Sequence, residues 1–206
     1  MPRVTDEYRA ARRAEIMAAA ARLFSVNGFH ATSMADIIAE AGMSAGAVYG
    51  YFRGKEELIF AVAGVALSAA DEAFAKMLAG DATPAPAEAV ATIIEAIDTR
   101  IAHDPDTGVD LTRIGVQVWA EALRNPQMLA SAGEVYLRLR GNWTEVARRW
   151  QRAGNMPADA DPAQAGAALL SLVQGFMLQK LLISGLETSD YLDGVRALLA
   201  AGPRDR

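Results

Sequence analysis

A short segment, residues 41–58, combines small residues, hydroxyl groups and a positive charge. It contains four small residues in a row, two tyrosines and a lysine: Ser44, Ala45, Gly46, Ala47, Tyr49, Tyr51 and Lys55. Small residues at the start of a helix allow its backbone to approach a ligand closely, and the free amide groups there favour an anion. Tyrosine hydroxyls and a lysine ammonium bind phosphate oxygens. The segment is therefore typical of a surface that binds phosphate groups.

The composition argues against several kinds of catalytic and metal site. The chain has no cysteine and only two histidines, His30 and His103, so it lacks a thiolate nucleophile and the ligands of a zinc site. The glycine-rich stretch GMSAGAVYG joins two predicted helices and follows no predicted strand, so it does not fit a dinucleotide-binding fingerprint. No serine stands in the context of a nucleophile elbow. We therefore expect no enzyme, no bound metal and no cofactor.

The helices that position this segment are predicted from capping residues and apolar spacing. Apolar residues recur at helical spacing over residues 6–26, which predicts a first helix there. Ser33, followed three residues later by Asp36, resembles a capping box, and it predicts a short second helix that Gly42 closes. Ser44 is predicted to cap a third helix. Two short helices separated by a turn of very few residues form a helix-turn-helix.

The rest of the chain also predicts helices. A long fourth helix follows Gly54, and further helices lie near residues 87–103, 106–123, 126–154 and 189–201. The penultimate helix, which includes residues 169–182, is apolar on more than one face. It is either a fully buried central helix or a helix that packs on its own core and on a partner. We predict an all-α fold of about nine helices.

The net charge of −5 is unevenly distributed over the 206 residues. Residues 1–55 carry seven basic residues against five acidic ones, a net charge of +2, whereas the remainder carries 13 against 20, a net charge of −7. A mildly positive N-terminal unit beside an acidic body favours local binding of phosphate. No signal peptide is recognisable, and the apolar run of residues 58–70 is too short to cross a bilayer. We expect a soluble, cytoplasmic protein without membrane association.

Residues 10–60 resemble the DNA-binding region of the TetR family of transcriptional regulators. The resemblance rests on many positions that match the family's residue pattern at the same time. These are Ile16, Ala19, Ala20, Leu23, Phe24, Gly28, Thr32, Ser33, Ile37, Ala41, Gly42, Ser44, Gly46, Tyr49, Tyr51, Phe52, Lys55, Glu56, Glu57 and Leu58. The resemblance implies DNA contacts from Thr32, Ser33, Ser44, Ala45, Ala47, Tyr49, Tyr51 and Lys55. Additional contacts with the DNA backbone or the minor groove are expected from Arg3, Arg9, Arg12 and Arg13.

The resemblance also implies a ligand-responsive regulator with two domains. Residues 1–54 are expected to form the helix-turn-helix domain, and residues 55–206 a larger helical domain for ligand binding and dimerisation. A homodimer would bind an inverted-repeat operator in double-stranded DNA as a repressor, and a small-molecule effector would release it. Candidate cavity residues are Phe74, Met77, His103, Arg113, Gln117, Trp119, Tyr136, Trp143, Gln174, Phe176 and Met177. Candidate interface residues are Leu170, Met177, Leu181, Leu198 and Leu199. The alternative is an all-helical small-molecule-binding or scaffold protein without specific DNA binding.

Overall fold

The structure of this chain is a computed structural model. It describes residues 5–80, 83–102 and 107–200, except for the side chains of residues 66 and 69, and the regular structure in these ranges is helical. In chain order the helices are α1 (Asp6–Ala31), α2 (Met34–Ala41), α3 (Ala45–Tyr51), α4 (Lys55–Leu78), α5 (Pro86–Arg100), α6 (Thr112–Ala122), α7 (Pro126–Arg152), α8 (Pro162–Leu182) and α9 (Thr188–Ala200). These ranges contain no strand. The predicted all-α class and the predicted number of helices are confirmed.

The first three helices pack around a small apolar core. Its fully buried side chains are Ile16, Ala20, Phe24, Ile37, Val48 and Phe52. Thr5 caps α1 by accepting a hydrogen bond from the backbone N–H of Tyr8. The predicted end of the first helix near residue 26 agrees with a break in α1, because Gly28 has a positive φ of 78° and a non-helical backbone. A short helical segment follows this kink and extends α1 to Ala31, which the sequence analysis did not predict.

The remaining six helices form the second part of the fold. α7 and α8 approach each other closely where Gly166 lies against Thr144, and a Cβ added to Gly166 would stand only 2.7 Å from the Thr144 backbone nitrogen. Thr188, at the start of α9, donates a 2.6 Å hydrogen bond to Asp98 of α5. The large side chains buried in this part include Phe74, Ile94, Trp143 and Phe176.

The sixth helix begins later than the sequence predicts. Residue 106 lies outside the described residues, and residues 107–111 form a turn that precedes α6. Asp110 Oδ1 accepts a 3.0 Å hydrogen bond from the backbone N–H of Thr112, which satisfies a free amide at the first residue of the helix. The carboxylate of Asp110 therefore sets the start of α6. The bounds of α5, α7 and α9 agree with the predictions to within a few residues.

Two helices are long and apolar enough to cross a membrane, judged by length and composition alone. These are α4, with 31% of its most apolar window buried, and α8, with 22%. The apolar run of residues 58–70 lies inside α4, the predicted long fourth helix, whose full length of 24 residues makes it long enough. Both helices also contribute residues to an internal cavity, so part of their apolar surface is used inside the protein.

Candidate nucleic-acid interface and ligand cavity

Side-chain caps define the short helices α2 and α3. The hydroxyl oxygen of Ser33 accepts a hydrogen bond from Asp36 N at 3.2 Å, and Asp36 Oδ2 accepts one from Ser33 N at 2.8 Å. The hydroxyl and the N–H of Ser33 lower the pKa of the Asp36 carboxyl. Gly42 closes α2 in a left-handed conformation with φ 62°, and Ser44 accepts a 3.2 Å hydrogen bond from Ala47 N at the start of α3. The predicted capping box, stop and second cap are all confirmed.

The outer face of α3 consists of small residues and one tyrosine. Val48 is buried and holds the helix against the core, whereas the other residues from Ser44 to Gly50 are exposed. Tyr49 is 50% exposed, and Tyr51 is half-buried against the core. This face therefore presents a hydroxyl group, methyl groups and accessible backbone to solvent.

The structure corrects the predicted role of Thr32. Its side chain is only 1% exposed, and its hydroxyl donates a 2.8 Å hydrogen bond to the Gly28 carbonyl. That bond stabilises the kinked end of α1, so the Thr32 hydroxyl is not available to DNA. Ser33, the next residue, is exposed.

Lys55 connects the end of α1 to the start of α4. Its Nζ donates hydrogen bonds to the carbonyl oxygens of Phe29, at 2.6 Å, and of Thr32, at 3.0 Å. An ammonium group has three N–H donors, so one remains for a phosphate oxygen. Lys55 therefore positions α1 against α4 in addition to its predicted contact with DNA.

The N-terminal arginines differ in their surroundings. Arg12 forms an ion pair with Glu15 at 2.6 Å, and Arg13 lies over the Phe52 ring, 4.9 Å from its centre. Arg9 is exposed, and Arg3 lies outside the described residues. Arg12 and Arg13 therefore have contacts within the chain, and their predicted contacts with DNA stay a prediction.

Sequence reasoning missed Arg53 as a contact candidate. It is exposed immediately after α3, and its guanidinium has no partner among the contacts of the described residues. The signal in the sequence was a basic residue two positions after the end of α3.

Helices α4 to α8 enclose a cavity of about 390 Å³. Six of the predicted residues line it: Phe74, Trp119, Tyr136, Trp143, Gln174 and Met177. The other lining residues are mostly aliphatic and come from all five helices and from Ile101 and Leu111 beside α5 and α6.

Four predicted cavity residues lie elsewhere. Met77 lies beside Trp150, away from the cavity, and Phe176 packs on the ring of Tyr191. Arg113 is exposed and stands 3.8 Å from an Asp110 carboxylate oxygen. The predictions that these residues line the cavity are therefore corrected. They failed because the spacing of residues along a helix does not determine which neighbours their side chains contact.

Gln117 is the fourth of these residues, and it joins α6 to α1. Its Nε2 donates to the Phe24 carbonyl at 3.1 Å, and its Oε1 accepts from the backbone N–H of Phe29 at 3.2 Å. The same helix contributes Gly115, Val118 and Trp119 to the cavity lining. α6 therefore contacts both the cavity and α1 in the N-terminal part of the fold. His103, the remaining predicted cavity residue, lies outside the described residues.

Polar groups meet at two places in the cavity wall. Trp119 Nε1 donates a hydrogen bond to the Tyr136 hydroxyl. Burial raises the pKa of Tyr136, and hydrogen bonds from Gln174 and Trp119 partly oppose this rise. At the second place, Arg138 Nη2 stands 3.0 Å from Asp71 Oδ2. Sequence reasoning missed Asp71 and Arg138, since nothing in the sequence signals that these distant residues meet.

The exposed apolar residues of α8 and α9 differ in part from the predicted interface. Of the residues predicted for the interface, Leu198 and Leu199 are 69% and 37% exposed, and Leu181 is half-buried. Leu170 and Met177 line the cavity instead, which corrects their assignment to the interface. Further exposed apolar residues, which the sequence analysis did not select, are Leu178, Leu182 and Ile183. Within this chain α8 is therefore not a fully buried central helix.

Comparisons with known proteins agree with this arrangement. The family model described as "Bacterial regulatory proteins, tetR family" matches residues 16–62, and the model described as "BetI-type transcriptional repressor, C-terminal" matches residues 86–202. The HTH-type transcriptional regulator UidR of Escherichia coli K12 is 25% identical over 187 residues, 91% of this chain and 90% of that protein. The regulator YfiR of Bacillus subtilis is 46% identical over 57 residues, but this match spans only 28% of each chain.

Solved structures share the fold over almost the whole chain. Salmonella enterica GusR superimposes with a TM-score of 0.74 at 23% identity and covers 96% of both chains. A transcriptional regulator from Saccharomonospora viridis in complex with choline also gives 0.74, at 22% identity, with 96% of this chain and 100% of that chain covered.

Proposed function

Since the chain belongs to the TetR family of bacterial regulatory proteins and is a ligand-responsive, DNA-binding transcriptional regulator, we propose that it binds an inverted-repeat operator as a homodimer. Occupation of the cavity by a small molecule then releases the operator and ends repression. The observation that carries the proposal is the capped α2–α3 unit, whose second helix buries Val48 and leaves an outer face of small residues and Tyr49 exposed.

The outer face of α3 is the proposed reading surface. Its small residues allow close approach to the major groove, where Tyr49 contributes a hydroxyl and the alanines contribute methyl groups for contact with thymine. Arg53 and the remaining N–H of Lys55 add cations for the phosphate backbone. The proposed contact residues are Ser33, Ser44, Ala45, Ala47, Tyr49, Tyr51, Arg53 and Lys55, with Arg9 as an additional phosphate contact.

Residues 1–54 form the proposed DNA-binding domain, and residues 55–206 the proposed domain for ligand binding and dimerisation. The two matched family regions, 16–62 and 86–202, support this division. So does the position of the cavity, which is lined from Phe60 onwards. Because such a regulator acts on the chromosome, we place the protein in the cytoplasm.

A second copy of the chain is the proposed partner of the exposed apolar side chains on α8 and α9. Leu182 and Leu198 are 73% and 69% exposed, and a two-fold interface would remove both from water. A two-fold pair places two α3 helices on successive turns of the major groove, about 34 Å apart or a multiple of this distance. Dimerisation therefore doubles the sequence that is read.

Ligand and DNA are coupled through the arrangement of the two domains. A molecule that fits the cavity better in a conformation that binds DNA poorly lowers the DNA affinity by its differential binding free energy. The helix α6 is suited to this coupling, because Trp119 faces the cavity and Gln117 contacts α1.

Fluorescence polarisation with the DNA upstream of the protein's own gene tests the proposed DNA binding. We expect saturable binding that is stronger than to an unrelated duplex and weakens steeply between two salt concentrations. Arg53→Ala should weaken binding, whereas Arg140→Ala, which removes an exposed arginine of α7, serves as the matched control. If the protein binds the upstream DNA no more tightly than the unrelated duplex, the titration is repeated with duplexes that the protein enriches from random sequence. Equal affinity for these duplexes and for the unrelated one would contradict the proposal.

A further inference from the structure

We propose that the cavity binds an uncharged, mainly apolar molecule that presents one oxygen atom as a hydrogen-bond acceptor to Tyr136. The inference rests on the proposed function in one respect only, which is that this cavity is the effector site. It specifies the charge of the ligand and the position of its polar group.

The cavity wall is apolar over most of its extent. Among the described residues that line it, aliphatic and aromatic side chains predominate on every enclosing helix, as Leu67, Ile93, Val118, Leu139 and Val173 illustrate. The free energy of transferring an apolar ligand from water to such a cavity is favourable and roughly proportional to the apolar area that is buried. Most of the bound molecule is therefore hydrocarbon.

The charges of the lining cancel one another. The charged residues among the described lining are Asp71 and Arg138. Two contacts join them, 3.0 Å between Nη2 and Oδ2 and 3.4 Å between Nε and Oδ1, so the guanidinium is directed at the carboxylate. The side chain of Arg138 is 50% exposed and that of Asp71 37% exposed, which places the pair in contact with water as well as with the cavity. A charged ligand would lose its hydration and meet no unpaired opposite charge here, which is strongly unfavourable.

Tyr136 supplies a hydrogen-bond donor inside the cavity. Trp119 Nε1 donates a hydrogen bond to its hydroxyl oxygen, so the Tyr136 O–H remains as a donor. Among the hydrogen bonds of the described residues, none gives the Tyr136 O–H an acceptor. A carbonyl, ether or hydroxyl oxygen of the ligand would complete its hydrogen bonding.

A cationic ligand is the sharpest alternative, because the Saccharomonospora viridis regulator holds choline. A quaternary ammonium group needs open ring faces around it. Two pairs of the aromatic rings that line this cavity pack on each other. Phe74 and Trp143 meet edge to face at 5.0 Å and are 2% and 1% exposed, so one ring face is covered by the other ring, and Trp119 and Tyr136 pack at 6.3 Å in a tilted arrangement. The carboxylate that could attract a cation, Asp71, is already paired with Arg138.

A set of probes with one skeleton and different charges tests the inference. Calorimetric titration of the full-length protein with 4-phenylbutan-2-one, 4-phenylbutanoate and 4-phenylbutylammonium compares a neutral acceptor, an anion and a cation; choline is added as a fourth probe. We expect the ketone to bind at least about tenfold more tightly than each charged probe.

Two tyrosine variants test the polar contact. Tyr136→Phe removes only the hydroxyl, and it should weaken ketone binding by about tenfold. The matched control is Tyr191→Phe, which removes a hydroxyl that donates to the Leu172 carbonyl at 2.6 Å and does not line the cavity. Thermal unfolding of both variants establishes that each is folded.

Tighter binding of the anion, the cation or choline would overturn the proposed charge class, and so would the absence of binding by all four probes. Unchanged ketone affinity in folded Tyr136→Phe would overturn the contact with Tyr136. Operator binding by the ligand-free protein is measured on the same preparations. Failure of operator binding alone contradicts the proposed function, whereas a wrong charge preference with intact operator binding contradicts only this inference.

Discussion

The side chain of Gln117 bridges two parts of the chain that are far apart in sequence, and its replacement should lower the stability of the protein. Gln117→Met keeps the length of the side chain and removes both hydrogen bonds to α1, the 3.1 Å bond to Phe24 O and the 3.2 Å bond from Phe29 N. Phe29 is only 5% exposed, so its N–H gains little from water when the acceptor is lost.

The magnitude follows from these two bonds. A hydrogen bond contributes about 1 kcal/mol net, and a buried donor left without a partner costs about 1–3 kcal/mol. Methionine recovers part of this by packing, so we expect the free energy of unfolding to fall by about 2 kcal/mol. For a chain of this length, such a loss lowers Tm by roughly 4–8 °C.

Calorimetry and amide hydrogen exchange check this prediction. The matched control, Gln127→Met, changes an exposed glutamine in the first turn of α7, and it should leave Tm unchanged. The exchange of the Phe29 amide should accelerate in Gln117→Met, because its acceptor is gone. Unchanged Tm together with unchanged protection of Phe29 would refute the reasoning, since it would show that the bridge contributes nothing to the contact between α1 and α6.

Three further predictions concern other parts of the molecule. Tyr49→Phe should weaken operator binding by several-fold in fluorescence polarisation without changing Tm, because the exposed hydroxyl is a proposed DNA contact. Gly166→Ala should lower the free energy of unfolding by about 1–3 kcal/mol in urea titrations, since its Cβ would stand 2.7 Å from Thr144 N and force α7 and α8 apart. Leu182→Glu should shift the protein towards monomer in analytical ultracentrifugation, because it introduces a charge into the proposed interface.

Each of these has an outcome that contradicts it. Wild-type operator affinity in Tyr49→Phe would remove that hydroxyl from the proposed contacts. For Gly166→Ala, the control is Gly141→Ala on α7, where an added Cβ meets nothing within 4 Å, and equal stability of the two variants would disprove the close approach. A stable dimer of Leu182→Glu would show that the interface lies on another face of α8 and α9.

Local hydrogen bonding made the α2–α3 unit predictable from the sequence. The caps at Ser33 and Ser44 join atoms three residues apart, and the turn at Gly42 needs only a residue that tolerates a positive φ. Such features depend on a few neighbouring residue types. They remain the same wherever the unit is placed in the fold.

The roles of Thr32 and Lys55 were only partly accessible to the same reasoning. The sequence places them at the right point of the chain for DNA contact, but the kink at Gly28 brings backbone carbonyls to both side chains. Bonds that span 23 and 26 residues depend on how α1 and α4 pack. No short pattern signals them.

The class of fold, the position of the helix-turn-helix and the residue types available for DNA contact could be predicted from the sequence, because they follow from helical periodicity and from caps formed within a few residues. The side chains that enclose the cavity, the pairing of Asp71 with Arg138 and the contact of Gln117 with α1 depend on how the helices pack. These contacts join residues 67 and 93 positions apart, and they exist only once the helices have packed. A helical pattern states that a side chain faces inwards, but the neighbouring helix determines what that side chain meets.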